Sequence, residues 1–86
     1  MNVLFSDEGW EDYQYWQAND IKLLKKINDI IKDIKRNSNQ GIGQPEKLKG
    51  NMSGWMSRRI NLEHRIVYRI DSDAIIIIQC RYHYKS

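Results

Sequence analysis

Four consecutive isoleucines, Ile75 to Ile78, limit what this chain can fold into. β-Branched side chains are stiff about χ1 and pack well on a pleated surface, so Ala74–Cys80 reads as a strand. An unbroken apolar run implies a central strand covered on both sides. Residues 63–70 alternate instead. His64, Ile66, Tyr68 and Ile70 fall on one side of an extended chain, and Glu63, Arg65, Val67 and Arg69 on the other. Asp71-Ser72-Asp73 between the two runs is a turn signal. The pair is a hairpin in which a half-exposed strand feeds a central one. The second strand runs out into Arg81-Tyr82-His83-Tyr84, a concentration of polar chemistry at the end of a core element.

The rest of the chain supplies cover for that hairpin. Val3-Leu4-Phe5 is a short strand. Ser6 is placed to cap a helix whose first turn holds Asp7 and Glu8, at the positive end of the dipole. Trp10, Tyr13 and Trp16 recur at helical spacing and read as packing residues. Asn19-Asp20 ends this helix and caps a second, in which Ile21, Leu24, Ile27, Ile31 and Ile34 form an apolar stripe. Asn37 to Pro45 is a loop, and its two glycines lack the strand–glycine–helix setting of a phosphate loop. Pro45 biases Gln44 toward an extended state. Glu46 to Lys49 reads as a short edge strand, Gly50 to Gly54 as a turn and Trp55 to Ile60 as a strand. The expected architecture is a single α+β domain over 1–86, ordered β-α-α-β-β-β-β. It has a small antiparallel twisted sheet of about four to five strands and a helical hairpin on one face.

Size and charge narrow the function. A chain of 86 residues builds a thin core, so a deep enclosed pocket is not expected and function belongs on a surface or in a shallow groove. One cysteine, Cys80, cannot form an intramolecular disulfide and points to a reducing compartment. No apolar run approaches the ~20 residues of a membrane helix. The expectation is a soluble, cytoplasmic protein with no membrane partner. Residues 1–20 carry five acids and no Lys or Arg, whereas residues 46–86 carry eight Lys or Arg against four acids. A basic half placed on strands is the pattern of a polyanion partner, although many basic sheets are simply solvated.

Parity sorts the candidate groups. A two-residue Asn61-Leu62 turn would set Arg58 beside Arg65, but it needs positive φ at Leu62. A three-residue turn puts Arg59 there instead. Two histidines and one cysteine on different strands give no metal-ligand spacing, so neither a metal nor a cofactor is expected. Cys80 reads as a small core residue and His64 as a packing histidine. His83 lies beyond the apolar run; it is either a surface histidine or a proton donor at neutral pH. Glu46, between Pro45 and the lysines 47 and 49, is either a solvated surface acid or a carboxylate kept ready to accept a proton. A carboxylate, a histidine, a tyrosine and several arginines on a basic face suit cleavage of RNA by its own 2′-hydroxyl. That reaction needs a base, an acid and cations, and no metal. A basic sheet that binds RNA and blocks it sterically would account for the charge without His83.

Several stretches carry a resemblance to a known family: Trp10-Glu11-Asp12-Tyr13-x-Tyr15-Trp16, Gly41-Ile42-Gly43-x-Pro45-Glu46-x-Leu48-Lys49, Ser53-Gly54-x-x-Ser57-Arg58-Arg59-Ile60, Glu63-His64-Arg65-x-Val67-Tyr68 and Cys80-Arg81-Tyr82-His83-Tyr84. Over nearly its whole length the chain resembles the YoeB branch of the RelE-type toxins of bacterial toxin–antitoxin systems. The resemblance implies an endoribonuclease that cuts mRNA in the ribosomal A site. It implies a cognate YefM-type antitoxin whose C-terminal segment wraps the toxin, operator DNA bound only as the antitoxin complex, and homodimerisation. By the same resemblance Glu46 is the general base, His83 the general acid, Arg65 the main stabiliser of the transition state and Tyr84 a phosphate-positioning group. Lys49 and Arg59 would hold RNA backbone. Members of this branch commonly stop at the position of Tyr84, and this chain adds Lys85-Ser86.

Overall fold

The computed structural model describes residues 1–83, so Tyr84 lies outside the described residues. The elements are β1 (Asn2–Phe5), α1 (Asp7–Asn19), α2 (Ile21–Arg36), β2 (Glu46–Lys47), β3 (Met56–Arg59), β4 (Arg65–Asp71) and β5 (Ala74–Gln79), with a 3₁₀ turn at Gly50–Met52. Both helix starts are capped as their sequences require. Ser6 Oγ accepts the Gly9 N–H at 3.1 Å, and Asp20 Oδ1 accepts the Leu23 N–H at 3.1 Å.

The five strands form one sheet in the order β1-β5-β4-β3-β2. β2 to β5 are antiparallel neighbours, whereas β1 joins β5 in parallel, so the sheet is mixed. A parallel neighbour needs a long crossover, and everything from α1 to β4 serves as one here. The isoleucine strand therefore sits inside the sheet, but its two faces differ. Ile75 and Ile77 are fully buried under the helices, while Ile76 and Ile78 are only half-buried on the open face. The expected cover on both sides exists on one side alone, because both helices pack on the same face.

That face meets Trp16 of α1 and Leu24, Ile27, Ile30, Ile31 and Ile34 of α2. The helical stripe is broader at Ile30-Ile31 than its spacing suggested, and Ile21, at the first position of α2, is 55% exposed. Gly9 makes the helix-to-sheet contact close. A Cβ there would lie 2.6 Å from the Ile77 carbonyl oxygen.

Candidate active site

The open face takes its character from strand parity. Ile66, Tyr68 and Ile70 of β4 pack into the core, leaving Arg65, Val67 and Arg69 to the other side. Register then settles the arginines of β3. Arg59 stands directly opposite Arg65, and Arg58 opposite Ile66. The turn that sets this register has three residues at its tip: the Ile60 N–H donates to the His64 carbonyl at 2.9 Å, and Asn61 Oδ1 accepts the N–H groups of Glu63 and His64. Arg59 thus lies on the open face and Arg58 is driven into the interior. Arg65 is largely buried. Among the described residues its side-chain bonds all use Nη1, to the carbonyls of Asn61 (2.9 Å), His64 (3.1 Å) and Leu62 (3.3 Å). The remaining donors of its fork are not spent on the turn.

Glu46 arrives from the opposite edge. It pairs with Ser57 in β2–β3, which puts it on the same face as Arg59. The loop before it must cross β3 closely. Gly43, at φ 83°, accepts the Arg59 N–H at 2.6 Å, and a Cβ on it would sit 2.8 Å from the Arg59 carbonyl oxygen. Only glycine tolerates both. The next residue, Gln44, has φ 50° and is not extended as expected before Pro45. The abrupt descent from Gly43 onto β2 overrides the proline's bias on its neighbour.

His83 is delivered by a strap rather than by a strand. β5 stops at Gln79, so strand alternation does not extend to His83. Tyr82 has φ 65° and turns the chain back, and its carbonyl accepts the Arg65 N–H at 2.9 Å. Arg81 lies between the Tyr15 and Tyr82 rings, 3.4 and 4.5 Å from their centroids, and so ties the strap to α1. Upstream, the Trp16 Nε1–H donates to the Cys80 carbonyl at 2.8 Å and the Cys80 N–H donates to Asp12 Oδ2 at 3.0 Å. Burial raises the Asp12 carboxyl above its usual range, partly offset by that bond.

These three approaches meet at one open cleft of about 270 Å³, lined by Gln44, Pro45, Glu46, Ser57, Arg59, Arg65 and His83. Four of the six residues expected to act, Glu46, Arg59, Arg65 and His83, line it together. Lys49, exposed beyond β2, is not in the lining, and Tyr84 is outside the described residues. Gln44, Pro45 and Ser57 were not anticipated. Ser57 shares the parity of Arg59, so strand alternation was enough to find it; the left-handed turn at Gln44 left no such signal. A carboxylate, an imidazole and two guanidinium groups around one cleft can exchange protons with a bound anion and balance its charge.

Comparison with known proteins finds similarity over nearly the whole chain. The family model describing a YoeB-like toxin of bacterial type II toxin–antitoxin system matches residues 5–84. The chain is 51% identical over 84 residues to Toxin YoeB of Escherichia coli strain K12, covering 98% of this chain and all of that protein. It superimposes on the YoeB/ParE toxin from Agrobacterium tumefaciens with a TM-score of 0.95 at 45% identity, covering 98% of this chain and 100% of the other. The Staphylococcus aureus YoeB chain, solved as a dimer and in a heterotetrameric complex with YefM, gives a TM-score of 0.91 at 54% identity, with 98% of each chain covered.

Proposed function

This chain belongs to the YoeB-like toxins of bacterial type II toxin–antitoxin systems, and from that membership we propose that it is an endoribonuclease that cuts mRNA in the ribosomal A site. The observation that supports this reading is the convergence of Glu46, His83, Arg59 and Arg65 on one cleft of nucleotide size. Arg59 and Arg65 face each other across β3 and β4. Like charges directly opposite one another on a sheet repel, and an anion between them turns that cost into attraction.

In the proposed reaction the Glu46 carboxylate takes the proton of a ribose 2′-hydroxyl. The 2′-oxygen attacks the adjacent phosphorus, and the bond from phosphorus to the 5′-oxygen breaks. His83 gives its proton to that leaving oxygen. The products are a 2′,3′-cyclic phosphate and a 5′-hydroxyl. Arg65, with Arg59, balances the charge that gathers on the phosphoryl oxygens. Lys49 would hold RNA backbone outside the cleft, and Tyr84 would position the phosphate. The scheme uses no metal or cofactor, since side chains move both protons and supply the positive charge.

The partners proposed are translating ribosomes with their mRNA and a YefM-type antitoxin, with operator DNA bound by the toxin–antitoxin complex and self-association into a dimer. The S. aureus relative's structures, a dimer and a complex with YefM, support the protein partners. A cytoplasmic location follows from the proposed substrate, and no helix among the described residues is long and apolar enough to cross a membrane.

The test is end-mapping of mRNA on translating ribosomes with wild type, Glu46→Gln and His83→Ala. Wild type should create new 5′-hydroxyl ends at A-site codons. Each variant should lose roughly 10²–10⁴ in rate, the range typical of one proton-transfer group. Equal cleavage by all three overturns the assigned roles. Translation arrest without new ends replaces the nuclease with a steric blocker.

A further inference from the structure

The strap carrying His83 is gripped by two side chains that the proposed reaction leaves unused. The first is Gln79. A bulge in β4–β5 pairs Tyr68 with Ile77 but Val67 with Gln79, leaving Ile78 as the extra residue. A bulge of this kind re-aims the residue that follows it. Gln79 Nε2 donates to the carbonyls of Arg81 (2.8 Å), His83 (2.9 Å) and Tyr82 (3.3 Å). The second is His64, whose Nδ1 accepts the Tyr82 N–H at 2.7 Å. Tyr82 is also the residue with left-handed backbone, at φ 65°. A non-glycine residue keeps that conformation only where its surroundings over-determine it.

His64 is well built for such a task. It is 8% exposed and its ring meets Trp16 edge-on, with centroids 4.7 Å apart. Trp16 in turn donates to the Cys80 carbonyl, so α1 braces both the ring and the start of the strap. A backbone N–H can only donate, so Nδ1 must present a lone pair and the ring proton must sit on Nε2. Nε2 lies 3.4 Å from Glu63 Oε1, a partner that favours this tautomer. A histidine needed only for packing would not require its ring nitrogens to be told apart.

We propose that His64 is a positioning residue: its Nδ1 lone pair, opposed by the Gln79 amide, holds the left-handed turn at Tyr82 that sends His83 into the cleft. This rests on the reading of His83 as the general acid. Removing the acceptor leaves a half-buried N–H without its partner and frees the turn to relax. His83 would stay attached to the protein but lose its aim, and small misplacements of a reacting group are costly in rate.

The experiment compares His64→Leu, which keeps bulk without an acceptor, with His64→Asn, whose side-chain oxygen can replace Nδ1. Each is read by single-turnover mRNA cleavage on programmed ribosomes, ribosome affinity, thermal unfolding and hydrogen exchange at the Tyr82 amide. His64→Leu should cleave roughly ten- to a hundred-fold more slowly at unchanged ribosome affinity, with faster Tyr82 exchange. His64→Asn should recover most of the rate. Gln79→Met, which removes the grip from the other side, should slow cleavage in the same way and serves if His64→Leu does not fold. Unchanged Tyr82 exchange in His64→Leu overturns the tether whatever His83 does. Equal slowing by Leu and Asn with equal loss of thermal stability reduces His64 to packing. Normal cleavage by His83→Ala overturns the catalytic reading, and the positioning role with it, even where the exchange data report an intact tether.

Discussion

Arg58 Nη1 lies 2.6 Å from Asp33 Oδ2, joining β3 to α2 through a guanidinium group with no exposed surface. The rest of the fork is spent nearby. Nε donates to the Tyr68 hydroxyl at 3.1 Å, Nη1 also to the Ile42 carbonyl at 3.3 Å, and Nη2 to the carbonyls of Asn37 (2.6 Å) and Gln40 (2.9 Å). Arg58 therefore gathers the loop that leads to Glu46, from beneath the sheet and out of reach of any RNA. Arg58→Met should cost about 3 kcal/mol or more, since the buried Tyr68 hydroxyl and four part-buried acceptors lose their donor at once. Arg58→Lys should not restore it, because an ammonium cannot match a planar fork. Urea unfolding of both variants checks this.

Acid should act through the same pair. The hydrogen bond from Arg58, then that from the Ile42 N–H, hold the Asp33 carboxyl below the usual carboxylate range. A folded-state value below the unfolded one makes the contribution complete above the unfolded value of about 3.9. It is lost as pH falls through the depressed folded value. Unfolding free energy measured downward from pH 6 should fall in that acid range, and Asp33→Asn should fall less steeply.

Gly9 tests the approach of α1 to the sheet. A methyl group 2.6 Å from the Ile77 carbonyl oxygen forces helix and strand apart, since an interior strand cannot yield as a flexible side chain would. Gly9→Ala should lose about 1–3 kcal/mol, the usual range for overpacking, with an unchanged denaturant slope.

Cys80 should be chemically silent in the native protein. Burial, and then the Asp12 charge, push its thiol far above the ordinary cysteine range, and its Sγ lies 3.6 Å from the Gly9 carbonyl oxygen. The thiolate is the reactive form. Labelling by a disulfide reagent at pH 8 should be negligible in buffer and rapid in denaturant.

Salt dependence separates the proposed backbone contacts. Each phosphate neutralised on a single strand contributes about 0.7 to the slope of log affinity against log salt. Arg59→Gln should lower the slope for a short RNA by about that amount. Lys49, outside the cleft lining, should do the same if it holds RNA, and an unchanged slope for Lys49→Gln removes it from the contact set.

Local pattern was enough for much of this protein. The caps at Ser6 and Asp20, the stripe of α2, the hairpin of Glu63 to Gln79 and the shared face of Arg59 and Arg65 all follow from period, propensity and turn chemistry, which act between near neighbours along the chain. The meeting of Glu46 and His83 at one cleft follows from none of them. It depends on a loop drawn down by a buried Arg58, a left-handed turn at Gln44, and a strap bent at Tyr82 and bonded to His64 and Gln79. Apart from the local bonds of Gln79, those contacts join residues far apart in sequence, and the turns at Gln44 and Tyr82 are in backbone conformations that their own side chains disfavour. Only the packed fold supplies the partners that make such conformations the lowest in free energy.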